Sequence, residues 1–322
     1  MTKEYDICAL GESLIDFTPA GKSPAGMELF ERNPGGAPAN VLACAAKLGC
    51  RTAFLGKVGK DMHGEFLRRT MEDAGIEVRG LAETEEYFTT LAFVTLTENG
   101  ERDFAFARKP GADTRLTAEE LDRSLLQGTR IFHIGSLSLT EEPVRSATWA
   151  ALREAKAAGA WISYDPNDRP LLWPSRELAR EQIRSILPLA DLVKVSREEC
   201  RIVTGTEDPE MAARTILEQG ASCAAVTLGA EGAWLFTREG QIRVPGCRTE
   251  NVVDTTGAGD AFWGAFLTHF VKNGADAAAL SLPKLEEAGR FACAAASLCV
   301  EKRGGIPAMP AEAQVWERYR RS

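Results

Sequence analysis

The stretch from Asn251 to Phe270 constrains the fold of this chain more than any other. It reads Asn-Val-Val-Asp-Thr-Thr-Gly-Ala-Gly-Asp-Ala-Phe-Trp-Gly-Ala-Phe-Leu-Thr-His-Phe. This order predicts an extended run that ends at Asp254, a glycine-rich turn, and a helix whose apolar residues recur at helical spacing. Asn273, followed by glycine, is a plausible end for that helix.

The turn has the composition of an anion-binding site. Its small residues, Gly257, Ala258 and Gly259, let the backbone approach a ligand, and the free N–H groups of the opening helical turn point at that ligand with the positive end of the helix dipole behind them. Asp260 follows, and a carboxylate there can take a proton from a hydroxyl while the amides hold negative charge. A carboxylate next to backbone amides at a helix start suits phosphoryl transfer from a nucleotide to an alcohol. Taken alone, the residues also fit ordinary helix capping.

Two better-known phosphate motifs do not fit. The dinucleotide-binding pattern needs a third glycine where Phe262 stands, and the nearest run to a P-loop, from Gly56 to Asp61, has Asp61 where serine or threonine is required. No strand-turn-helix fingerprint lies near the N-terminus either. An FAD- or NAD-binding protein is therefore disfavoured.

Composition excludes further classes of function. The 322 residues, 44% of them hydrophobic, are enough for one large α/β domain or two small ones, and no run approaches the length of a membrane span. The net charge of -8 argues against a nucleic-acid partner. The first strand-like run follows the N-terminus so closely that we expect no signal peptide, no membrane partner and a cytoplasmic location.

Cysteine and histidine do not form a metal-binding pattern. None of the eight cysteines belongs to a Cys-x-x-Cys pair, and most lie in apolar segments, so we expect buried, reduced thiols. The three histidines are widely scattered, and we expect none of them to ligate a metal.

Two N-terminal segments carry candidate ligand contacts. Asp16 follows an apolar pair where a core strand would end, and ligands gather at strand ends in open α/β sheets. Gly35 and Gly36 precede a helix with Pro38 in its first turn and would let a ligand lie against bare backbone. Asn40 offers both a donor and an acceptor, as a sugar requires. A turn at Asp16 and a simple capped helix stay open as alternatives.

A predicted β-hairpin interrupts the alternation of strands and helices. Two β-rich runs, 87–97 and 101–108, are joined by a short Glu-Asn-Gly turn. Phe104, Phe106 and Arg108 alternate with smaller residues, so one face of the hairpin can offer aromatic surface and a cation to a ligand. A half-buried sheet face with a solvated arginine is the alternative.

Between residues 117 and 228, short apolar runs alternate with helix-length segments, which predicts a mostly parallel sheet with helices on both faces. Each polar cluster at a strand end fits a capped loop by itself, but clusters at successive strand ends describe a cleft. The clusters are Tyr164-Asp-Pro-Asn167-Asp-Arg169, Lys194-Val-Ser196-Arg-Glu-Glu199 and Thr227-Leu-Gly229-Ala-Glu-Gly232.

Two segments together resemble the signatures of the ribokinase-like (PfkB) carbohydrate kinases. Asp254-Thr-Thr-Gly-Ala-Gly-Asp-Ala-Phe is similar to the C-terminal signature, and Gly35-Gly-Ala-Pro-Ala-Asn-Val-Leu-Ala to the N-terminal one. The resemblance covers essentially the whole chain. It implies a single α/β domain over residues 1–322, with the three-layer ribokinase-like fold: a mostly parallel central sheet flanked by helices, and a small β-sheet lid, inserted at about 12–32 and 87–110, that closes over the sugar.

With this resemblance, the candidate residues group into sites. Catalysis is expected of Asp260 as the base, with the amides of Gly257, Ala258 and Gly259. Sugar contacts are expected from Asp16, Gly35, Gly36, Asn40, Phe104, Phe106, Arg108, Arg169 and Asp260 itself. Nucleotide contacts are expected from Asn167, Lys194, Ser196, Glu199, Thr227, Gly229 and Gly232, besides the glycine turn. The resemblance further implies that Glu199 organises magnesium through water, although Ser196 replaces the family's asparagine beside it. It also implies a monovalent cation held near Asp254, Thr256, Val300, Arg303 and Gly305.

Several segments look most like those of fructokinases, so the first expectation is ATP-dependent phosphorylation of fructose to fructose 6-phosphate, with Mg²⁺ and K⁺. The close alternative is 2-keto-3-deoxygluconate kinase, whose acidic substrate should favour more cationic or tyrosyl groups on the lid. Ribokinase or nucleoside kinase activity ranks lower. A non-catalytic sugar sensor is disfavoured because the base and the glycine turn are intact. Exposed edges of the lid sheet favour a homodimer.

Overall fold

Two β-sheets of different size organise the computed structural model, which describes residues 3–96, 102–249 and 251–322 and leaves the side chains of residues 95, 96 and 102–104 undescribed. The strands are β1 (Tyr5–Leu10), β2 (Leu14–Lys22), β3 (Glu28–Gly35), β4 (Thr52–Gly59), β5 (Ile76–Thr84), β6 (Leu91–Leu96), β7 (Arg102–Ala107), β8 (Thr129–Ile134), β9 (Trp161–Tyr164), β10 (Leu192–Ser196), β11 (Cys223–Thr227), β12 (Ala233–Thr237) and β13 (Gly240–Val244). The α-helices are α1 (Ala37–Lys47), α2 (Met62–Asp73), α3 (Arg123–Gln127), α4 (Val144–Ala157), α5 (Arg176–Ser185), α6 (Cys200–Thr204), α7 (Pro209–Glu218), α8 (Ala258–Lys272), α9 (Leu282–Cys299) and α10 (Glu312–Arg321).

The larger sheet has nine strands in the order β13-β12-β11-β10-β9-β8-β1-β4-β5. Every pairing from β11 to β5 is parallel, whereas β12 and β13 add to one edge as an antiparallel hairpin. The prediction of a mostly parallel sheet is confirmed. The edge hairpin was not predicted, although its sequence carries a signal, because two β-rich runs are separated there by a short turn that leads into Gly240.

Helices cover both faces of this sheet, as the strand and helix alternation predicted. Along β1, Ile7 and Ala9 belong to one buried cluster, while Cys8 and Leu10 belong to another. The first cluster includes α1, α2, α8, α9 and α10, and the second includes α3 to α7. Because side chains of a strand alternate between faces, both faces of the central strands are buried and the strands read as continuous apolar runs.

The smaller sheet has four strands in the order β3-β2-β6-β7. It is built from the two segments that were predicted to form a lid, although β3 runs past the expected end at residue 32. The extension follows from the antiparallel register, in which Gly35 lies opposite Leu14. The turn between β6 and β7 lies outside the described residues.

All eight cysteines are free thiols, and all except the partly exposed Cys247 are buried, as predicted. In the part of the chain that the structure describes, no helix combines the length and the apolar character needed to cross a membrane.

Candidate active site

A cleft of about 440 Å³ lies between the carboxyl ends of the central strands and the smaller sheet. It adjoins a second recess of about 600 Å³, and the two cavities share Asn167, Arg169 and Lys194 as lining residues. Residues from both ends of the chain meet at the cleft, because parallel strands place their carboxyl ends at one edge of the sheet.

The glycine turn opens α8 at the floor of the cleft. Gly257 caps the helix with φ 77°, in the left-handed region that suits a residue without a Cβ. No acceptor for the N–H groups of Gly257 and Gly259 occurs among the described residues, whereas the N–H of Ala258 donates to the Thr255 carbonyl at 3.3 Å. Of the three amides predicted to act in catalysis, that of Ala258 is therefore used within the turn, and the catalytic role of the three stays a prediction. The N–H of Asp260 has no acceptor among the described residues either.

Asp260 lies in the first turn of α8 and is only 7% exposed. Its Oδ2 accepts a hydrogen bond from Asn40 Nδ2 at 2.8 Å, a contact between residues 220 positions apart. Burial raises the pKa of the Asp260 carboxyl, and the hydrogen bond from Asn40 opposes that rise. Asn40 Oδ1 is buried and finds no partner among the described residues. The predicted base and the predicted sugar ligand are thus in direct contact.

One face of the smaller sheet points into the cleft. Alternate residues of β2, Leu14, Asp16 and Thr18, line the cavity together with Phe106 of β7. The opposite face carries Phe17, whose ring stacks on Phe93 at 5.1 Å between centroids. The period-2 geometry of a strand therefore directs Asp16 and Phe106 to the cleft as predicted.

Two glycines, Gly35 and Gly36, lie at the cleft near Asp16. Gly35 is opposite Leu14 in the adjacent strand, and a Cβ at Gly35 would overlap the Asp16 carboxylate. Gly36 lines the cleft just before α1. Only a glycine at position 35 leaves the Asp16 side chain in its present position.

Two of the predicted hairpin contacts have different outcomes. The side chain of Phe104 lies outside the described residues. The prediction for Arg108 is wrong, since β7 ends at Ala107 and the arginine no longer follows the alternation of the strand. Its guanidinium is 3% exposed, forms an ion pair with Asp113 at 2.8 Å, and donates to the Leu137 carbonyl at 3.1 Å. Arg108 therefore stabilises the wall of the cleft through the backbone of Leu137, which lines the cavity.

The second recess is lined by Asn167, Arg169, Lys194, Ser196 and Glu199, as the strand-end clusters predicted. The oxygens of Glu199 accept hydrogen bonds from the Ser196 N–H at 2.8 Å and from the Asp168 N–H at 2.7 Å, so this carboxylate joins the ends of two strands. The other three predicted residues, Thr227, Gly229 and Gly232, lie at the end of β11 and in the loop after it, outside the lining of both cavities.

Lys194 forms a buried ion pair that sequence reasoning missed. Its Nζ lies 2.8 Å from Asp165 Oδ2, and burial raises the pKa of Asp165 to about 7 in spite of the paired ammonium group. The same ammonium lies against Gly259, where a Cβ would be 2.9 Å from it. The signal was available, because Asp165 directly follows a strand within the Tyr-Asp-Pro-Asn cluster.

Asp254 joins the predicted cation loop to the glycine turn. Its Oδ1 accepts from the N–H and the hydroxyl of Thr256, at 2.9 and 2.7 Å, and its Oδ2 accepts from the Gly304 N–H at 3.0 Å. The Val300 carbonyl accepts N–H groups from Val253 and Asp254, at 2.8 and 3.2 Å, so this segment is held by the loop and joins neither sheet.

The remaining predicted cation ligands differ in position. Gly305 lines the cleft, whereas the Arg303 side chain is 62% exposed and faces Glu31 at 3.6 Å. Within residues 3–96, 102–249 and 251–322, no group of three or more His, Cys, Asp or Glu side chains is placed to hold a metal ion. The monovalent-cation role of this loop stays a prediction.

Glu12 is a cleft residue that sequence reasoning missed. It lies two residues after the end of β1, is 5% exposed, and lines the same cavity as Asp260. Burial raises the pKa of Glu12 to about 7, and the Ala37 N–H, which donates to its Oε1 at 3.0 Å, opposes that rise. Its place at a strand end was the available signal.

Comparisons with known proteins agree on one family. A family model described as pfkB family carbohydrate kinase matches residues 5–312. Fructokinase-2 of Zea mays is 45% identical over 307 residues, which are 94% of this chain and 91% of that protein. A crystal structure of a fructokinase with bound ATP from Xylella fastidiosa has a TM-score of 0.89 and 34% identity and covers 98% of both chains. A fructokinase from Vibrio cholerae O395 in its fructose, ADP and calcium ion bound form has a TM-score of 0.88 and 32% identity, over 98% of this chain and 99% of that one.

Proposed function

The chain belongs to the pfkB family of carbohydrate kinases, and we propose that it transfers the γ-phosphoryl group of ATP to the primary hydroxyl of fructose, giving fructose 6-phosphate. It is a phosphotransferase with an alcohol acceptor and has the ribokinase-like fold. The observation that carries the mechanism is the position of Asp260, a buried carboxylate in the first turn of a helix whose free amides face the same cleft.

Asp260 acts as the general base. The Asn40 amide orients its carboxylate through the 2.8 Å hydrogen bond, so one oxygen is held while the other stays available to the hydroxyl of the sugar. A carboxyl whose pKa is raised by burial accepts a proton more readily than an ordinary aspartate. The proton passes from the hydroxyl to Asp260 as the oxygen attacks the γ-phosphorus, and the bond from that phosphorus to the β,γ-bridging oxygen breaks and releases ADP.

The glycine turn stabilises the negative charge of the transferred group. The N–H groups of Gly257 and Gly259 are preorganised at the positive end of α8, so they need no rearrangement when charge develops. The Lys194 ammonium adds positive charge beneath Gly259. Asn167 and Arg169 line both cavities and are proposed to guide the phosphates from the recess into the cleft.

We propose that Mg²⁺ binds in the second recess. Asn167, Ser196 and Glu199 line it and would supply oxygen donors, and Mg²⁺ prefers oxygen ligands, keeps several waters and binds through substrate phosphates. Because both Glu199 oxygens accept backbone N–H groups, we propose that Glu199 acts on the ion through water. When bound, Mg²⁺ would neutralise charge on the nucleotide phosphates. We propose K⁺ for the loop in which Asp254 joins Thr256 to Gly304, next to the glycine turn.

The smaller sheet is proposed to act as a lid of the single domain. Its cleft-facing side carries Asp16, with hydrogen-bonding oxygens, and Phe106, with apolar surface, the two chemistries of a sugar ring. Closure over the sugar would keep out water, which would otherwise accept the phosphoryl group. Arg108, the lid cation that would favour an acidic sugar, is paired with Asp113 instead, and this favours fructose over 2-keto-3-deoxygluconate.

The edge of this sheet also supports a homodimer. Met27, Leu29 and Phe30 lie in or beside the edge strand β3, with 69%, 45% and 38% of their surfaces exposed. Apolar side chains on an unpaired edge are typical of a surface that pairs with another copy. Sedimentation of the chain and of a Leu29→Lys variant tests this proposal, with a monomeric wild type as the contrary result. The cytoplasmic location stays a prediction.

A coupled assay of ATP consumption tests the proposed reaction. Fructose, 2-keto-3-deoxygluconate, ribose and adenosine are supplied separately, with Mg²⁺ replaced by EDTA in one series and K⁺ replaced by a large organic cation in another. We expect the highest kcat/KM for fructose, loss of turnover without Mg²⁺ and reduced turnover without K⁺. A higher kcat/KM for another acceptor would refute fructose as the substrate.

A further inference from the structure

Glu12 is a second buried carboxylate in the cleft that the reaction described above does not use. It is 5% exposed, and the cavity that it lines also contains Asp16, Asn40 and Asp260. A buried carboxylate is costly unless its oxygens are paired, so its presence in a ligand cleft calls for an explanation.

Among the described residues, only one oxygen of this carboxylate has a hydrogen-bond partner. Oε1 accepts the Ala37 N–H at 3.0 Å, which anchors the carboxylate to the first residue of α1. Oε2 is buried and has no hydrogen-bond partner in the part of the chain that the structure describes. Asn40 Oδ1, in the same cavity, is also a buried acceptor without a described partner. Two unsatisfied acceptors in one cleft fit a ligand that brings several O–H donors.

Glu12 and the proposed base, Asp260, are held by different residues of α1. The Ala37 N–H, which holds Glu12, belongs to the first residue of α1, whereas the Asn40 side chain, which holds Asp260, comes three residues later. The two carboxylates of the cleft are therefore anchored to different residues of the same helix. Carboxylates with different anchors can accept hydrogen bonds from different hydroxyls of one sugar.

We infer that Glu12 is a specificity-determining residue for the sugar, whose Oε2 accepts a hydrogen bond from a hydroxyl other than the one that is phosphorylated. This inference rests on the proposed function. Its physical basis is that a hydroxyl can donate to Oε2, whereas an analogue without that hydroxyl leaves the buried oxygen unpaired. A sugar with a carboxylate at that position has no O–H to donate, so it would leave Oε2 unpaired and be rejected.

A double-mutant cycle tests the inference, with one change made in the protein and the other made in the sugar. The wild-type chain and Glu12→Gln are assayed with fructose and with fructose analogues that each lack one hydroxyl other than the accepting one. A hydrogen bond to a charged group corresponds to about 10- to 100-fold in kcat/KM. We expect one analogue to lose about this factor with the wild type, fructose to lose a similar factor with E12Q, and the combination to lose no more than about 3-fold further. The KM for ATP should change less than about 3-fold.

Glu120→Gln is the matched control, because the Glu120 carboxylate also accepts a backbone N–H, from Thr117 at 2.8 Å, but lies outside the cleft. It should leave the ranking of the analogues unchanged. If E12Q does not fold, as judged by its urea unfolding transition, the same cycle is run with Glu12→Asp, whose shorter carboxylate cannot reach both Ala37 and the hydroxyl.

The outcomes separate the inference from the reaction itself. If one analogue has a lower kcat/KM than fructose with the wild type but not with E12Q, the hydroxyl that this analogue lacks contacts Glu12. An equal loss for fructose and every analogue would overturn the inference, since it would mean that Glu12 only holds the start of α1. Absence of turnover of any sugar by the wild type would refute the proposed function and this inference with it.

Discussion

Replacing Asp260 by asparagine separates the chemistry of this residue from its structural role. Asparagine has the same shape, and its side-chain oxygen can still accept the 2.8 Å hydrogen bond from Asn40. The remaining position becomes an NH₂ group, which cannot accept a proton from the sugar hydroxyl. The variant therefore keeps the contact with α1 and loses only the base.

The expected loss of turnover is large and the expected loss of stability is small. General-base catalysis contributes about 10²- to 10⁴-fold, so kcat should fall by that factor, about 2.7 to 5.4 kcal/mol in the activation barrier. The folded-state pKa of Asp260 is raised by burial, so the wild type loses stability as pH rises through that pKa, whereas the neutral asparagine does not. The unfolding temperature of Asp260→Asn, relative to the wild type, should therefore increase with pH.

The assay measures fructose-dependent ATP consumption at saturating substrates, with thermal unfolding followed over a series of pH values. Asp122→Asn serves as the control, because the Asp122 carboxylate caps α3 away from the cleft. Its turnover should equal that of the wild type. Turnover of Asp260→Asn within about 10-fold of the wild type would refute the assignment of the base.

Three further predictions follow from single contacts. Lys194→Met leaves the Asp165 carboxylate buried without its cation and should lower the free energy of unfolding, measured in urea titrations, by about 3 to 5 kcal/mol. Adding Asp165→Asn should restore part of this free energy. A loss below about 1 kcal/mol would contradict the prediction. Asn40→Ala removes the donor that lowers the pKa of Asp260, so the acidic limb of the pH profile of kcat should move to higher pH. An unchanged acidic limb would show that this hydrogen bond does not set the pKa of the base. Gly257→Ala forces a side chain into φ 77°, which should cost about 1 to 2 kcal/mol in stability and reduce kcat through displaced amides; unchanged kcat would argue against a role for these amides.

The candidate site could be predicted where the relevant residues are neighbours in the chain. The glycine turn and Asp260 are adjacent, so their relation follows from local geometry. Arg108 was misplaced because the alternation of β7 was carried one residue past its end, where the chain turns and Asp113 becomes the partner. Glu12 was missed because, although it follows a strand end, its burial is decided only when α1 packs against it.

The sequence by itself determined the alternation of strands and helices in the parallel part of the large sheet, the helices on both of its faces and the glycine turn before α8. These depend on side-chain periodicity and on backbone preferences that act over a few residues. Only the tertiary structure decided that Asn40 holds Asp260, that Lys194 pairs with Asp165, and that one oxygen of Glu12 stays without a described partner. Such outcomes depend on which distant segments exclude water from a polar group and which donors they bring with them, and neither is encoded in any short stretch of the chain.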